Sequence, residues 1–363
     1  MRVIVAGGGT GGHLFPGIAV ARALRDQHGA EILFLGSEHG IEKRAVPAAG
    51  FAVELSPVRG LRGKSPAALV RGLRDLVRGL LAARRAVARF APDLAIGVGG
   101  YAAFPAVLAA ALRRTPIVLL EQNAEPGLTN RLLARFATSI CASFEGTRAA
   151  LGPRTVVTGN PIRFAPQTRS ATAAEAATSE GSSTAPLRLL VFGGSAGARR
   201  LNQVLPAAIA HAAAPISVLH QSGAAEEEAT RARYAAAAVP ADVKAFIDDM
   251  QAAYADADLV ICRAGASTIA ELTVLGKPAI YVPYPFATGD HQTSNARPLA
   301  DAEAGWLIAD SALEPEGLAE LLDALALDRE RLRRAGIEAR KFGRPDALRD
   351  VVAVCLAACG EGV

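Results

Sequence analysis

The segment Gly7-Gly8-Gly9-Thr10-Gly11-Gly12-His13 joins a turn without Cβ atoms to an imidazole. Such a turn leaves backbone N–H groups open where a helix begins, and the helix dipole favours an anion there. The added glycines make room for a substrate, and His13 is a candidate general base; its bland alternative is a helix-start residue without chemistry. Half a chain later Gly193-Gly194-Ser195-Ala196-Gly197-Ala198 repeats the arrangement, with the Ser195 hydroxyl where a diphosphate would lie. Alone, it is equally a tight turn that binds nothing. In Cys262-Arg263-Ala264-Gly265-Ala266-Ser267-Thr268-Ile269-Ala270-Glu271, Ser267 and Thr268 offer hydroxyls and amides, and Glu271 offers a carboxylate one turn in. A carboxylate there accepts from two vicinal hydroxyls, as on a ribose, or serves as an ordinary N3 capping glutamate. Glu121-Gln122-Asn123 and Asp290-His291-Gln292-Thr293-Ser294-Asn295 add carboxylates and amides suited to sugar hydroxyls. No metal-ligand cluster is expected.

These segments share a position. Each follows a short apolar, β-branched run, and helix-like sequence follows the glycine-rich ones. In the first half the expected strands are Val3–Ala6, Glu31–Leu35, Ala52–Leu55, Leu94–Val98, Ile117–Leu120, Ser139–Ala142 and Thr155–Val157; helices are expected over Pro16–His28 and Ala67–Phe90. In the second half strands are expected at Arg188–Phe192, Ile216–His220, Val243–Phe246, Leu259–Cys262, Ala279–Val282 and Gly305–Ile308, with a last helix over Asp346–Ala358. Alternating strands and helices predict an α/β, parallel, doubly wound sheet in each half. Open sheets of this kind bind ligands at strand carboxyl ends, where these segments fall.

A dinucleotide-binding reading competes for the first turn, since Gly7, Gly9 and Gly12 fit GxGxxG. That motif wants an acidic residue ending the second strand. Here the strand ends Phe34-Leu35-Gly36-Ser37, with Glu38 beyond a glycine. An NAD-binding oxidoreductase or a non-catalytic nucleotide module remains as an alternative of another class; no cofactor is expected.

The 363 residues suit two domains. The four cysteines form neither a disulfide framework nor a CxxC zinc pattern, so a reducing cytoplasm is the plain reading. No secretory h-region or membrane-spanning run is read. Residues 1–160 hold 20 Lys/Arg against 10 Asp/Glu, and residues 161–363 hold 19 against 25. The basic half therefore meets something anionic, unless the asymmetry is compositional drift. In 69–90, Leu69, Leu73, Leu76, Leu80 and Val87 make one stripe, with Arg71, Arg74, Arg78, Arg85 and Arg89 roughly opposite and Val70, Val77 and Leu81 beside them. That pattern describes a surface helix, or one whose arginines and flanking aliphatics touch anionic lipid headgroups. Sparse aromatics disfavour nucleic acid.

Taken together, the chain resembles the MurG family, within glycosyltransferase family 28. The resemblance rests on Gly8-Gly9-Thr10-Gly11-Gly12-His13 with Phe15-Pro16-Gly17, Gly60-Leu61-Arg62-Gly63-Lys64, Gly99-Gly100-Tyr101, Glu121-Gln122-Asn123, Gly159-Asn160-Pro161-Ile162-Arg163, Gly193 to Ala198, Phe246-Ile247-Asp248-Asp249-Met250, and Arg263 to Thr268 with Glu271. It implies a GT-B fold, two Rossmann-like domains whose parallel sheets face a central cleft. The expected bounds are 1–164, a linker at 165–186, 187–342, and a C-terminal helix within 343–363 packing back on the first domain. It implies an inverting, metal-independent transfer of N-acetylglucosamine from UDP-N-acetylglucosamine (UDP-GlcNAc) to lipid I, the undecaprenyl-pyrophosphoryl-muramoyl pentapeptide.

By motif position Ile247 meets uracil through its backbone and Glu271 holds the ribose. Ser195, Ala266, Ser267 and Thr268 hold the diphosphate with Arg163 nearby, and Ile269 and Ala270 continue that segment. Asn123 and Gln292 face the sugar, while Thr10, Gly11 and Gly12 line the acceptor side. His13 is the first candidate base and Glu121 the second. The partners implied are an anionic membrane surface (Arg71, Arg74, Arg78, Val70, Val77, Leu81) and cell-wall synthesis proteins. The expected location is peripheral, on the cytoplasmic face of the inner membrane. Another lipid glycosyltransferase or a UDP-GlcNAc 2-epimerase is the alternative enzyme.

Overall fold

The computed structural model describes residues 1–58, 66–162, 185–194 and 198–360, without the side chains of 66–71 and 73. Arg163, Ser195, the Gly60–Lys64 motif and the expected linker up to residue 184 lie outside the described residues, as do the side chains of Val70 and Arg71. The chain divides into two compact units, Met1–Arg163 with Arg344–Val363, and Phe164–Gly343.

The first unit alternates β1 (Arg2–Ala6), α1 (Gly11–His28), β2 (Glu31–Ser37), α2 (Glu42–Ala48), β3 (Ala52–Ser56), α3 (Pro66–Phe90), β4 (Leu94–Gly97), α4 (Ala103–Leu112), β5 (Ile117–Glu121), α5 (Leu128–Leu133), β6 (Ser139–Ala142), α6 (Gly146–Leu151) and β7 (Thr155–Val157). Its sheet has the order β3-β2-β1-β4-β5-β6-β7, and every neighbouring pair is parallel. Alternate residues of β1 feed opposite cores: Val3 and Val5 pack with α1, and Ile4 and Ala6 with α3 and α4. Burial on both faces explains why these strands read as continuous apolar runs.

The second unit repeats the plan with β8 (Leu187–Phe192), α7 (Arg199–His211), β9 (Ile216–Gln221), α8 (Glu227–Ala236), β10 (Ala241–Lys244), α9 (Met250–Asp256), β11 (Leu259–Cys262), α10 (Ala266–Leu275), β12 (Ala279–Tyr281), α11 (His291–Asp301), β13 (Trp306–Leu307), α12 (Pro315–Leu327) and α13 (Arg329–Phe342). The sheet order is β10-β9-β8-β11-β12-β13, again parallel throughout. In both sheets the order reverses beside the first strand, the switch point at which doubly wound folds bind ligands. The last helix, α14 (Ala347–Ala358), inserts Val351, Val352, Cys355 and Leu356 into the core beneath α1, β5 and β6 of the first unit.

Most boundaries differ from the sequence reading by a residue or two at an end, and two of the differences change what an element positions. The first helix starts at Gly11, not Pro16: the Thr10 carbonyl accepts from Leu14 N–H at 3.1 Å, and Pro16 sits inside the helix. This brings His13 into the first turn. The strand expected at Val243–Phe246 is Ala241–Lys244. Among the described residues it is an edge strand paired with β9 alone, and Phe246 is exposed in the segment that follows.

Beneath the second sheet lies a buried polar chain. His220 Nδ1 is 2.9 Å from Tyr234 Oη, its Nε2 is 3.0 Å from Asn202 Oδ1, and Asn202 Nδ2 donates to the Ser222 carbonyl at 3.0 Å. Burial pushes the His220 imidazole down to about 4, from roughly 6.5 in an unfolded chain. Unfolding takes up a proton between those values. The contribution is therefore complete above about pH 6.5 and is lost as the pH falls toward 4. Trp306, in the second unit, is the sole tryptophan and reports the transition. Urea unfolding followed by its fluorescence is expected to show about 2 kcal/mol less stability at pH 5 than at pH 7.5 from this group, and His220→Gln to flatten that dependence.

Candidate active site

In the first unit, the turns after β1 and β4 press together. Gly7 N–H donates to the Leu35 carbonyl at 3.1 Å, and Gly8 N–H to the Gly99 carbonyl at 3.4 Å. Gly99 has φ +89°, and a Cβ there would stand 2.9 Å from His13 Cδ2. The glycine thus admits the imidazole edge. His13 Nδ1 lies 2.9 Å from Thr10 Oγ1. If Nδ1 carries the proton and donates to Thr10, Nε2 is the unprotonated nitrogen, the tautomer a base requires. Thr10 and Gly12 are exposed; Gly11 and His13 are half-buried.

Under this turn sits a residue the sequence reading passed over. Glu42, in the first turn of α2, is fully buried. Its Oε2 accepts from Gly9 N–H at 2.9 Å and its Oε1 from Ser37 N–H at 2.8 Å. One carboxylate therefore ties the glycine turn to the end of β2. Ser37 donates its own hydroxyl to the Val58 carbonyl at 2.8 Å. No acidic side chain ends β2, so the dinucleotide-binding alternative lacks its ribose partner.

Glu121 ends β5 and is buried. Its Oε1 accepts from Asn123 N–H at 3.0 Å, and its Oε2 from Gly127 N–H at 3.0 Å and Asn130 Nδ2 at 2.9 Å. Burial raises its pKa, and these donors pull it back. The carboxylate braces the loop that carries Asn123, whose carbonyl accepts from Thr147 Oγ1 at 3.1 Å.

In the second unit, β11 runs through Arg263-Ala264-Gly265 into α10. The first helical bond joins Ile269 N–H to the Gly265 carbonyl at 2.9 Å, so the amides of Ala266, Ser267 and Thr268 stand ahead of the ladder. Ser267 and Thr268 are half-buried, whereas Ile269 packs inward. Arg263 is spent on the scaffold, donating to the carbonyls of Val282 at 3.2 Å and Pro283 at 3.0 Å and pairing with Asp310. Glu271 lies in the second turn of α10, beyond reach of an N3 cap, and is 1% exposed. Tyr254 Oη donates to its Oε2 at 2.9 Å.

Gln221, also unanticipated, links two candidate loops. Its Nε2 donates to the Gly194 carbonyl at 3.0 Å, and its Oε1 accepts from Ile247 N–H at 2.9 Å. The carbonyl is then the backbone group that Ile247 can turn to a ligand. Gln292 Oε1 accepts from Tyr284 N–H at 2.8 Å, leaving its amide nitrogen as the donor end. The rest of that cluster braces itself: Thr293 Oγ1 donates to Asp290 Oδ1 at 2.8 Å, His291 Nδ1 meets the Thr288 carbonyl at 2.9 Å, and Asn295 Nδ2 donates to the Ala264 carbonyl at 3.3 Å. Among the described residues no group of three or more His, Cys, Asp or Glu is placed to hold a metal ion.

On α3, Val87 faces the core, while Val77 and Leu81 stand 51% and 50% exposed next to exposed Arg74 and Arg78. Among the described residues, no helix is long and apolar enough to cross a membrane.

The glycosyltransferase family 28 N-terminal domain matches residues 3–142, and the family 28 C-terminal domain matches residues 188–351. A UDP-N-acetylglucosamine–N-acetylmuramyl-(pentapeptide) pyrophosphoryl-undecaprenol N-acetylglucosamine transferase of Verminephrobacter eiseniae is 45% identical over 354 residues, 97% of each chain. A protein of the same name from Anaeromyxobacter sp. is 44% identical over 360 residues, covering 98% of this chain and 93% of its own. The crystal structure of Acinetobacter baumannii MurG matches with a TM-score of 0.80 at 34% identity, over 98% of this chain and 99% of that one. A UDP-GlcNAc 2-epimerase from Neisseria meningitidis has a TM-score of 0.67, over 98% of this chain and 100% of its own, but at 13% identity it shares the fold alone. The α/β fold of two Rossmann-like parallel-sheet domains, of GT-B type, stands.

Removing the Glu42 carboxylate orphans two amides. Glu42→Ala is expected to lower unfolding stability by about 3 kcal/mol, and Glu42→Gln by about half as much, measured by chemical denaturation with circular dichroism.

Proposed function

The chain belongs to glycosyltransferase family 28, and we propose that it transfers N-acetylglucosamine from UDP-GlcNAc to the 4-hydroxyl of the muramoyl sugar in undecaprenyl-pyrophosphoryl-muramoyl pentapeptide, with inversion at the anomeric carbon. The observation that carries this reading is the 45% identity to a transferase of that name across 97% of both chains. The 2-epimerase alternative has only the shared fold behind it.

In this reading the second unit holds the donor. Glu271 accepts from the ribose hydroxyls, and the Ile247 carbonyl accepts from the uracil N3–H. The diphosphate takes the amides that open α10, at Ala266, Ser267 and Thr268, with Ser195 and Arg163. The first unit offers the acceptor its turn at Thr10, Gly11 and Gly12. Asn123 and Gln292 contact the sugar.

The acceptor hydroxyl attacks the anomeric carbon in line as the bond to the β-phosphate oxygen breaks. His13 Nε2 takes the hydroxyl proton, with Thr10 fixing the tautomer. Charge gathers on the leaving diphosphate, where preoriented amides stabilise it. Glu121 serves as the brace of the Asn123 loop, and His13 as the base.

Peripheral attachment to an anionic membrane belongs to the same reading. Arg74 and Arg78 supply charge and Val77 and Leu81 the apolar contact, with Arg71 and Val70 extending the patch by sequence position. In this reading the enzyme works on the cytoplasmic face, where a lipid-linked acceptor meets a soluble nucleotide sugar.

UDP release from UDP-GlcNAc is expected to depend on a lipid I analogue; acceptor-independent release, or none with the analogue present, overturns the assignment. His13→Ala is expected to cut kcat about 10²-fold or more with near-normal UDP affinity, and unchanged turnover removes His13 from the role. Co-sedimentation with vesicles containing phosphatidylglycerol is expected to be lost in Arg74→Glu/Arg78→Glu; retention in that variant counts against this docking face.

A further inference from the structure

We infer that Tyr254 is a positioning residue for the donor ribose, acting through Glu271; the inference rests on the ribose role given to Glu271 above. The juxtaposition is specific. Tyr254 lies on α9, the short helix after the Ile247 segment, and is fully buried. Its ring stands edge-on to Phe192, 6.0 Å between centroids at 62°. Phe192 ends β8 immediately before the glycine turn at 193. The phenol reaches across to Glu271 Oε2 at 2.9 Å.

The chemistry follows from the donor inventory. A phenol has one proton to give, and here it goes to the carboxylate. Glutamate has three side-chain torsions, and a carboxylate this buried cannot reorient by exchanging one water for another. Its direction is set by the groups that donate to it. Two vicinal hydroxyls on a five-membered ring need both carboxylate oxygens presented at a fixed tilt. A charge-assisted bond to one oxygen supplies that tilt before the substrate arrives. The packing against Phe192 fixes the ring, so the restraint passes from β8 through Tyr254 to Glu271.

Two donors separate this role from a plain structural one. UDP release is measured with UDP-GlcNAc and with its 2′-deoxyuridine counterpart, using a lipid I analogue as acceptor. The wild-type enzyme is expected to prefer the ribonucleotide in kcat/KM by about tenfold or more, and Glu271→Gln to erase that preference. Tyr254→Phe is expected to raise KM for UDP-GlcNAc about tenfold, to leave kcat within about twofold, and to shrink the preference in parallel. In the double variant, Tyr254→Phe is expected to add no further loss. A Tyr254→Phe enzyme that keeps the wild-type preference overturns the inference, and so does one in which both donors lose equally as the melting temperature falls. If Glu271→Gln itself keeps the preference, the ribose assignment fails first and the role of Tyr254 fails with it.

Discussion

A parallel sheet buried on both faces leaves polar chemistry one address, the edge where its strands end and its helices begin. That constraint governs both units. The faces of β1 and β8 are filled with Val, Ile and Leu, so no titratable group can sit there without a partner. At the carboxyl edge the chain must instead turn sharply, expose amides and start a helix. Glycine makes the turn sterically feasible, and the dipole of the new helix gives it a preference for anions. A nucleotide sugar and a lipid diphosphate both carry the anion such an edge receives.

The edge is held in shape by buried carboxylates as well as by its glycines. Glu42 spans Gly9 and Ser37, Glu121 gathers Asn123, Gly127 and Asn130, and Glu271 is met by Tyr254. Each lies near zero exposure, and each accepts from N–H or O–H donors. Such groups cost a great deal if left alone and confer rigidity once satisfied. Of the three, only Glu271 stands where a substrate hydroxyl is proposed to complete its shell. The same residue type clamps backbone at Glu42 and Glu121 and, in the proposed donor site, receives a substrate at Glu271.

How much of this was legible follows from distance along the chain. The glycine turns, the alternation of strands and helices and the placement of Glu271 past a strand end are local patterns, and the sequence displayed them. Glu42 was passed over because its partner Gly9 is 33 residues away, and the two meet only when β1 and β2 become neighbours. Gln221 is hidden for the same reason, 27 residues from Gly194 and 26 from Ile247. The β10 boundary failed differently. Val243 to Phe246 has the composition of a strand, yet the ladder with β9 ends at Lys244, and Phe246 is turned out to solvent. Local propensity cannot tell a strand residue from an apolar residue reserved for a loop.

The return of α14 has a consequence for how the protein is made. Val351, Val352, Cys355 and Leu356 belong to the core that α1 and β1 begin. A ribosome therefore emits the whole second unit before it emits the helix that closes the first. The later-encoded module has all its own strands and can fold while the earlier one still waits, with an apolar groove open, for its final piece. Order of synthesis and order of completion are reversed, and the interval between them is when this chain is most exposed to chaperones and to aggregation.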